Sequence, residues 1–430
     1  MLGFTGLGLR GRPVAEISVE DRNVRFLMAQ TACSGIVNGG ITAFLPVLLA
    51  RMGADVLTIS ALSAGLALTT IVMALPAGPI VDRQIRLVRW SAKYYYATRA
   101  MYGLIAFAVF LPAAWAPFVM VVLWSLHGVP AAIANNAWYS VLAEAVTPRR
   151  RPVINGARWA LLGLVSAGCM ALFGAALDYI PSPYGYQLVF LLSSLGGGLG
   201  IWFYSRIVIP DRVLVIAPNQ PGLGATIRRM VAPLREGGEF LHYTIGTSVL
   251  RVGLHLPVGL YSLFWVAELH ASDTFIGLRS TVGNLALTVG YYAWGRLAAR
   301  LGHRRTLGFA ALGMSAYPAL TAVSPGVEWL IPAALIWGLF ASGIDMSLFE
   351  GLLEVCPPAR RADFVAVNTF VANVIMFIAP ILGAVLAGAL GLRQVLLIAA
   401  LLHLVAVAAV AYLAFSARRA SRRRVLPLVE

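Results

Sequence analysis

The sequence predicts an all-α membrane protein of twelve spanning helices arranged as two six-helix halves. Three observations lead there. Of 430 residues, 59% are hydrophobic and only 12% charged, against about 25% charged in an ordinary soluble domain. Apolar runs of about 20 residues recur along the chain, the length that carries an α-helix across a bilayer. The basic residues gather in short clusters between those runs, alternating between crowded and nearly empty loops.

The runs are read at 24–51, 56–81, 88–112, 116–145, 152–178 and 185–208, then 238–267, 274–299, 305–324, 328–355, 361–389 and 393–416. Arg10, Arg12, Arg22 and Arg25 lie before or at the very start of the first run. No charged residue falls between Val56 and Ile80, and then Asp82, Arg83, Arg86, Arg89 and Lys93 follow in quick succession. The fourth and fifth runs are separated by Arg149, Arg150 and Arg151. Arg206 ends the sixth run, and the longest polar stretch follows it, with Arg212, Arg228, Arg229 and Arg235 among prolines and glycines. It reads as a linker, 209–237, between a first bundle at 24–208 and a second at 238–416. Arg296, Arg300, Arg304 and Arg305 surround the join of runs eight and nine, and Arg360 and Arg361 that of runs ten and eleven. A basic tail, 417–430, closes the chain. The alternate loops hold only Arg51, Arg279 and Arg393. The excess of positive charge on one side places both termini and the linker in the cytoplasm, which requires an even number of spans. A cytoplasmic (inner) membrane protein is the expectation.

The formal net charge is +15. Nucleic-acid binding is set aside because the arginines punctuate membrane runs rather than covering a soluble face. The first twenty residues have no apolar core of a cleavable signal, so the first span is expected to act as its own insertion signal. Cys33, Cys169 and Cys356 show no CxxC spacing, and neither a zinc site nor a disulfide framework is expected. His127, His242 and His403 have no metal-binding spacing. No nucleophile with a base, phosphate loop or dinucleotide fingerprint is present, so neither an enzyme nor a cofactor is expected.

The two halves repeat. A shift of 217 places Ile59 on Ile276, Ser63 on Ser280, Gly78 on Gly295 and Arg83 on Arg300. A shift of 210 places Gly128 on Gly338, Glu144 on Glu354, Pro148 on Pro358 and Arg151 on Arg361. Internal duplication of a six-helix unit is the sequence sign of a transporter whose halves move about a shared central site.

The stretch "GPIVDRQIR" supplies a family. Gly78, Asp82, Arg83 and Arg86 resemble the Gly-x-x-x-Asp-Arg-x-Gly-Arg signature of the major facilitator superfamily, with Ile85 at the second glycine. The second copy, "GRLAARLGHRR", keeps Gly295, Arg300, Gly302 and Arg304 and has Ala299 at the aspartate. The resemblance implies two bundles related by a pseudo-twofold axis, with helices 1, 4, 7 and 10 lining a central cavity, and alternating access. It implies no particular substrate. The Arg-x-x-Gln-Gly pattern of the family's drug–proton exporters is absent, since Trp124 and His127 stand at the arginine and glutamine. Helix 5 lacks the exporters' Gly-Pro-x-x-Gly-Gly motif, and sugar-porter signatures are missing.

Polar residues deep in a span need a partner, water or substrate. In the seventh run Arg251 and His255, with Thr247, share one face. In the tenth, Asp345 and Glu350 interrupt the apolar pattern, and the 210 shift pairs Asp345 with Asn135. An Arg251–Asp345 interaction that depends on substrate or proton is one expectation; a purely structural ion pair is the other. Gln30, Ser34, Asn38 and Thr42 form a polar stripe in the first run, and Asn135, Asn136, Trp138 and Tyr139 a polar and aromatic set in the fourth. These read as substrate contacts or as interhelical packing bonds. Asn284, Thr288, Asn368 and Asn373 read mainly as packing, and the tyrosines of 93–99 as interfacial anchors. A cytoplasmic gate is expected from Gly78, Asp82, Arg83, Arg86, Glu144 and Arg151 with their counterparts Gly295, Arg300, Glu354 and Arg361. In it Asp82 and Arg83 would hold the outward-facing state.

The leading function is a secondary active transporter of a small organic solute, with an anionic solute and proton coupling as the finer expectations. An exporter or flippase of amphipathic compounds or lipids, and a non-transporting membrane receptor or sensor, stay open beside it. The expected partners are the small-molecule solute, the lipid bilayer and protons, with the chain acting as a monomer.

Overall fold

A computed structural model describes residues 18–74, 76–212, 224 and 232–425, with side chains to Ala409 except those of 359 and 362. Arg10, Arg12, Arg228, Arg229 and the side chains of Arg418, Arg419 and Arg422–424 lie outside the described residues. The long helices are α1 (Val19–Arg51), α2 (Val56–Met73), α3 (Leu87–Ala108), α4 (Ala116–Ala145), α5 (Arg151–Tyr179) and α6 (Tyr184–Tyr204). They continue as α7 (Gly238–Glu268), α8 (Asp273–Leu301), α9 (His303–Val323), α10 (Val327–Val355), α11 (Arg361–Leu390) and α12 (Leu392–Val425). Ten of them are long and apolar enough to cross a membrane. The other two, α3 and α8, have the length but carry more charge: Arg89, Lys93 and Arg99 in α3, and Asp273, Arg279, Arg296 and Arg300 in α8. The second run is shorter than the sequence suggests. The helix stops at Met73, and a short helix, Ala77–Asp82, begins after Pro76.

Local chemistry sets the helix ends. Ser18 and Asp55 accept the backbone N–H groups of Asp21 (3.1 Å) and Thr58 (2.9 Å), capping α1 and α2. Gly302 and Gly391 end α8 and α11 at φ +79° and +93°, where a side chain would be strained.

Two helices are interrupted. A π-helical turn, Asn38–Thr42, lies within α1, and Ser193 of α6 accepts the buried Ile41 N–H at 3.0 Å. Helix α7 breaks at Pro257 and closes with a π turn at Phe264–Glu268. Such turns widen the backbone locally and concentrate at functional sites. Phe44, Phe190 and Phe264 anchor an apolar core shared by both bundles at the end remote from the termini, called here the far end. The opposite end, where the described residues begin at Ser18 and end at Val425, is the terminal end.

Candidate functional site

The two bundles meet at the far end and through the middle. There α5 packs along α8, α2 packs along α11, and α2 also meets α7. The α5–α8 crossing depends on Gly174 and Gly277. A Cβ on Gly174 would sit 2.6 Å from the Asp273 carbonyl oxygen. One on Gly277 would overlap the Met170 carbonyl oxygen and lie 3.1 Å from Gly174 Cα. Only hydrogen at these positions lets the backbones come so close.

A polar lock caps this crossing. Asp178, at the end of α5, accepts the N–H groups of Asp273 and Thr274 at 2.9 Å each. Ser272 accepts that of Phe275 at 3.2 Å. The start of α8 is thus capped largely by a carboxylate from the other bundle, where the helix dipole favours negative charge. The Asp273 side chain meets Arg51 of α1 at 3.3 Å and accepts the Tyr186 hydroxyl at 2.8 Å. Arg51 also donates to the Ala271 carbonyl. Nothing in the sequence singled out this set, because its cross-bundle bonds join residues 87 to 222 positions apart and its members look like ordinary helix-end residues.

Because Asp178 bonds across the bundles and not within one, Asp178→Ala should destabilise the closed far end rather than either bundle. Loss of a cap costs about 1–2 kcal/mol, roughly a 5- to 30-fold shift in the ratio of closed to open. Labelling of a cysteine introduced at Thr274 by a membrane-impermeant maleimide checks it: the variant should react faster.

In the second bundle, Arg251 of α7 donates to the Asn368 side chain of α11 at 3.3 Å. Asp345 of α10 accepts the Tyr291 hydroxyl of α8 at 3.1 Å. Among the described residues no ion pair joins Arg251 to Asp345, though each lies within electrostatic range of the other. Asn368, read from sequence as packing, is therefore Arg251's direct partner. His255 is half-buried one turn from Arg251, immediately before the Pro257 break. Glu350 is half-buried on α10, with no ion pair to a described residue.

In the first bundle, Asn135 of α4 accepts the Tyr95 hydroxyl of α3 at 3.1 Å. Trp138 lies beneath the guanidinium of Arg158, 4.4 Å from its ring centre. Arg158 of α5 donates to Thr31 at 2.9 Å and to Asn155 at 3.1 Å. It forms no ion pair with any described residue. Arg158 was missed in the sequence, although it is the only charged residue between Arg151 and Asp178. Asn38 opens the π turn of α1 and is half-buried. Arg279, assigned from sequence to an outer loop, is instead buried in α8. It stacks 4.0 Å over Trp265 and donates to the Tyr317 hydroxyl at 2.8 Å.

At the terminal end, among the described residues, none of the expected gate residues pairs with the other bundle, and two of them pair with the start of the linker. Glu144 pairs with Arg212 at 2.9 Å, Arg86 with Asp211 at 3.6 Å, and Glu354 with His303 at 3.9 Å. Arg151 donates to the Val146 carbonyl at 2.9 Å and to that of Ala143, closing the end of α4. Asp82, Arg83, Arg300 and Arg361 are exposed. A Cβ on Gly78 would meet no atom within 4 Å, and one on Gly295 only the Met346 sulfur at 4.0 Å. Among the described residues, no ion pair at this end crosses from one bundle to the other.

Residues 243–430 match the family model described as Major Facilitator Superfamily. Most of the chain superposes on solved transporters. The crystal structure of a point mutant of the nucleoside transporter NupG matches with a TM-score of 0.70 at 14% identity, over 91% of this chain and 99% of that one. The chain has the major facilitator fold. A bacterial homologue of the iron transporter ferroportin matches this chain in both of its states. In the inward-facing state the TM-score is 0.69 at 15% identity, over 92% of this chain and 98% of that one. In the outward-facing state it is 0.59 at 16% identity, over 92% and 99%. No curated protein matches the sequence. Likeness at such low identity shows the fold and leaves role and cargo to the chain's own residues.

Proposed function

We propose that this chain is a secondary active transporter that moves a small organic anion by alternating access, coupled to protons. The observation that carries the reading is Arg251. It is a guanidinium within a spanning helix whose bonded side-chain partner is the neutral amide of Asn368. A half-buried cation in a span with no ion pair to a described residue is costly, and an anionic substrate would relieve that cost. Arg158 supplies a second such cation from the other bundle, backed by Trp138. His255, Glu350, Asn38 and Asn135 complete the proposed substrate region. Asp345 is the proposed proton carrier: its carboxyl is close enough to Arg251 for protonation to change the field on a bound anion.

The charge bias of the loops supports a cytoplasmic terminal end in the inner membrane. On that orientation the structure is an inward-facing state, sealed at the far end by the Asp178–Asp273–Arg51–Tyr186 set. The higher TM-score to the inward-facing ferroportin homologue supports the same reading. The two proposed bundles, 24–208 and 238–416, would rock about the central residues. In the opposite state Gly78 and Gly295 would become close-packed and Asp82, Arg83, Arg300 and Arg361 would find partners across the gap.

Thermal unfolding of the purified protein with small carboxylates, phosphate esters and neutral solutes, at acidic and neutral pH, tests the reading. Stabilisation by anions, with a pH dependence that Asp345→Asn removes, is the expected result. Stabilisation by neutral solutes alone contradicts it.

A further inference from the structure

At the terminal end, where α3 begins and α6 finishes, lies a cavity of about 460 Å³. Its walls combine Arg86, Arg89 and Arg206 with Leu87, Ile207 and Val208. The three arginines are opposed there by one carboxylate, Asp211, which sits 3.6 Å from Arg86. Arg89 and Arg206 form no ion pair with a described residue. Arg206 instead lies 4.3 Å over the ring of Trp202, itself 42% exposed on the outer face of α6. Helix α3 starts at this cavity with no side chain capping its first turn, so its leading N–H groups add to the positive field.

A site for a free polar anion has no need of apolar walls, and a site for an apolar tail has no need of three guanidinium groups. The combination fits a molecule with an anionic head and a greasy body. The position fits as well. An exposed tryptophan at a helix end marks the level where hydrocarbon gives way to headgroups, and basic pockets at that level attract acidic lipids. We propose that this cavity seats the headgroup of an acidic phospholipid. Its phosphate lies between Arg89 and Arg206, and its acyl chains run past Val208 and Trp202 along α6. Soluble phosphate shares the headgroup chemistry but not the apolar contact. The proposal is independent of which solute the protein carries.

The test is thermal unfolding of the detergent-purified chain titrated with phosphatidylglycerol, phosphatidylcholine or soluble glycerol 3-phosphate, for wild type and the R89Q/R206Q double variant. Phosphatidylglycerol should stabilise the wild type, and the other two should not. The double variant should bind phosphatidylglycerol roughly 30-fold more weakly, from about one unit of surface attraction lost per arginine. Equal effects of the two lipids, equal effects of glycerol 3-phosphate and phosphatidylglycerol, or an unchanged double variant would each overturn the proposal. If the double variant fails to fold, photo-crosslinking of wild type with a diazirine phosphatidylglycerol decides. Labelling within 86–89 and 202–211 supports the site, and labelling elsewhere overturns it.

Discussion

Replacing Gly277 with valine is expected to hold the far end open. A Cβ at this position overlaps the Met170 carbonyl oxygen and approaches Gly174 Cα to 3.1 Å. Both obstacles are backbone, so no side-chain rotation relieves them. The clash falls between α5 and α8, which belong to different bundles. Separation of the bundles removes it without disturbing the helices inside either one. Overpacking of this kind costs about 3 kcal/mol at the upper end of its usual range, roughly a hundredfold in the ratio of far-end-closed to far-end-open molecules. Gly277→Ala places its Cβ at the same point and should act in the same direction, with less to displace. Faster maleimide labelling of a cysteine at Thr274, with unchanged helical content, is the expected readout. Unchanged labelling would mean that the bundles do not part at this seam.

Removal of Arg251 should abolish stabilisation by anions and transport of them. Truncating one member of a buried charge-assisted contact costs about 2–5 kcal/mol, so Arg251→Ala should weaken anion binding by roughly 30-fold or more. Arg251→Lys keeps the charge but loses the planar fork, and should recover only part of the affinity. The Asn368 amide remains in either variant, so a hydrogen bond alone will not rescue binding. Ligand-dependent shifts in melting temperature check both variants, and an Arg251→Ala protein that binds anions as the wild type does would refute the assignment.

Much of the architecture can be read from sequence because hydropathy reports burial in lipid directly. Apolar runs and arginine clusters place every helix and most helix ends, though the second run overshoots Met73 and the last stops short of Val425, and "GPIVDRQIR" with its partner "GRLAARLGHRR" points to the fold. What hydropathy cannot report is which polar residues meet. Asp178 and Arg51 read as helix-end charges, yet together with Tyr186 they close on Asp273 across the seam between bundles. Arg279 resembles a loop residue by position, but the rings of Trp265 and Tyr317 make a place for it inside α8's bundle. Arg158 was hidden by its apolar surroundings, and its support by Trp138 and Thr31 depends on three helices coming together. The signature loop was legible as chemistry but not as state. Asp82 and Arg83 are exposed in this conformation, and the seal lies at the opposite end.

The central claim is that closure at one end is exchanged for closure at the other. Paired spin-label distances measured in the same protein, with the three native cysteines replaced, test it most directly. One pair, at Tyr179 and His270, spans the far end, and a second, at Arg149 and Arg361, spans the terminal end; all four residues are exposed. On introducing Gly277→Val the first distance should lengthen while the second shortens. A far-end distance that lengthens with no change at the terminal end, or two distances that move in the same sense, would contradict the account.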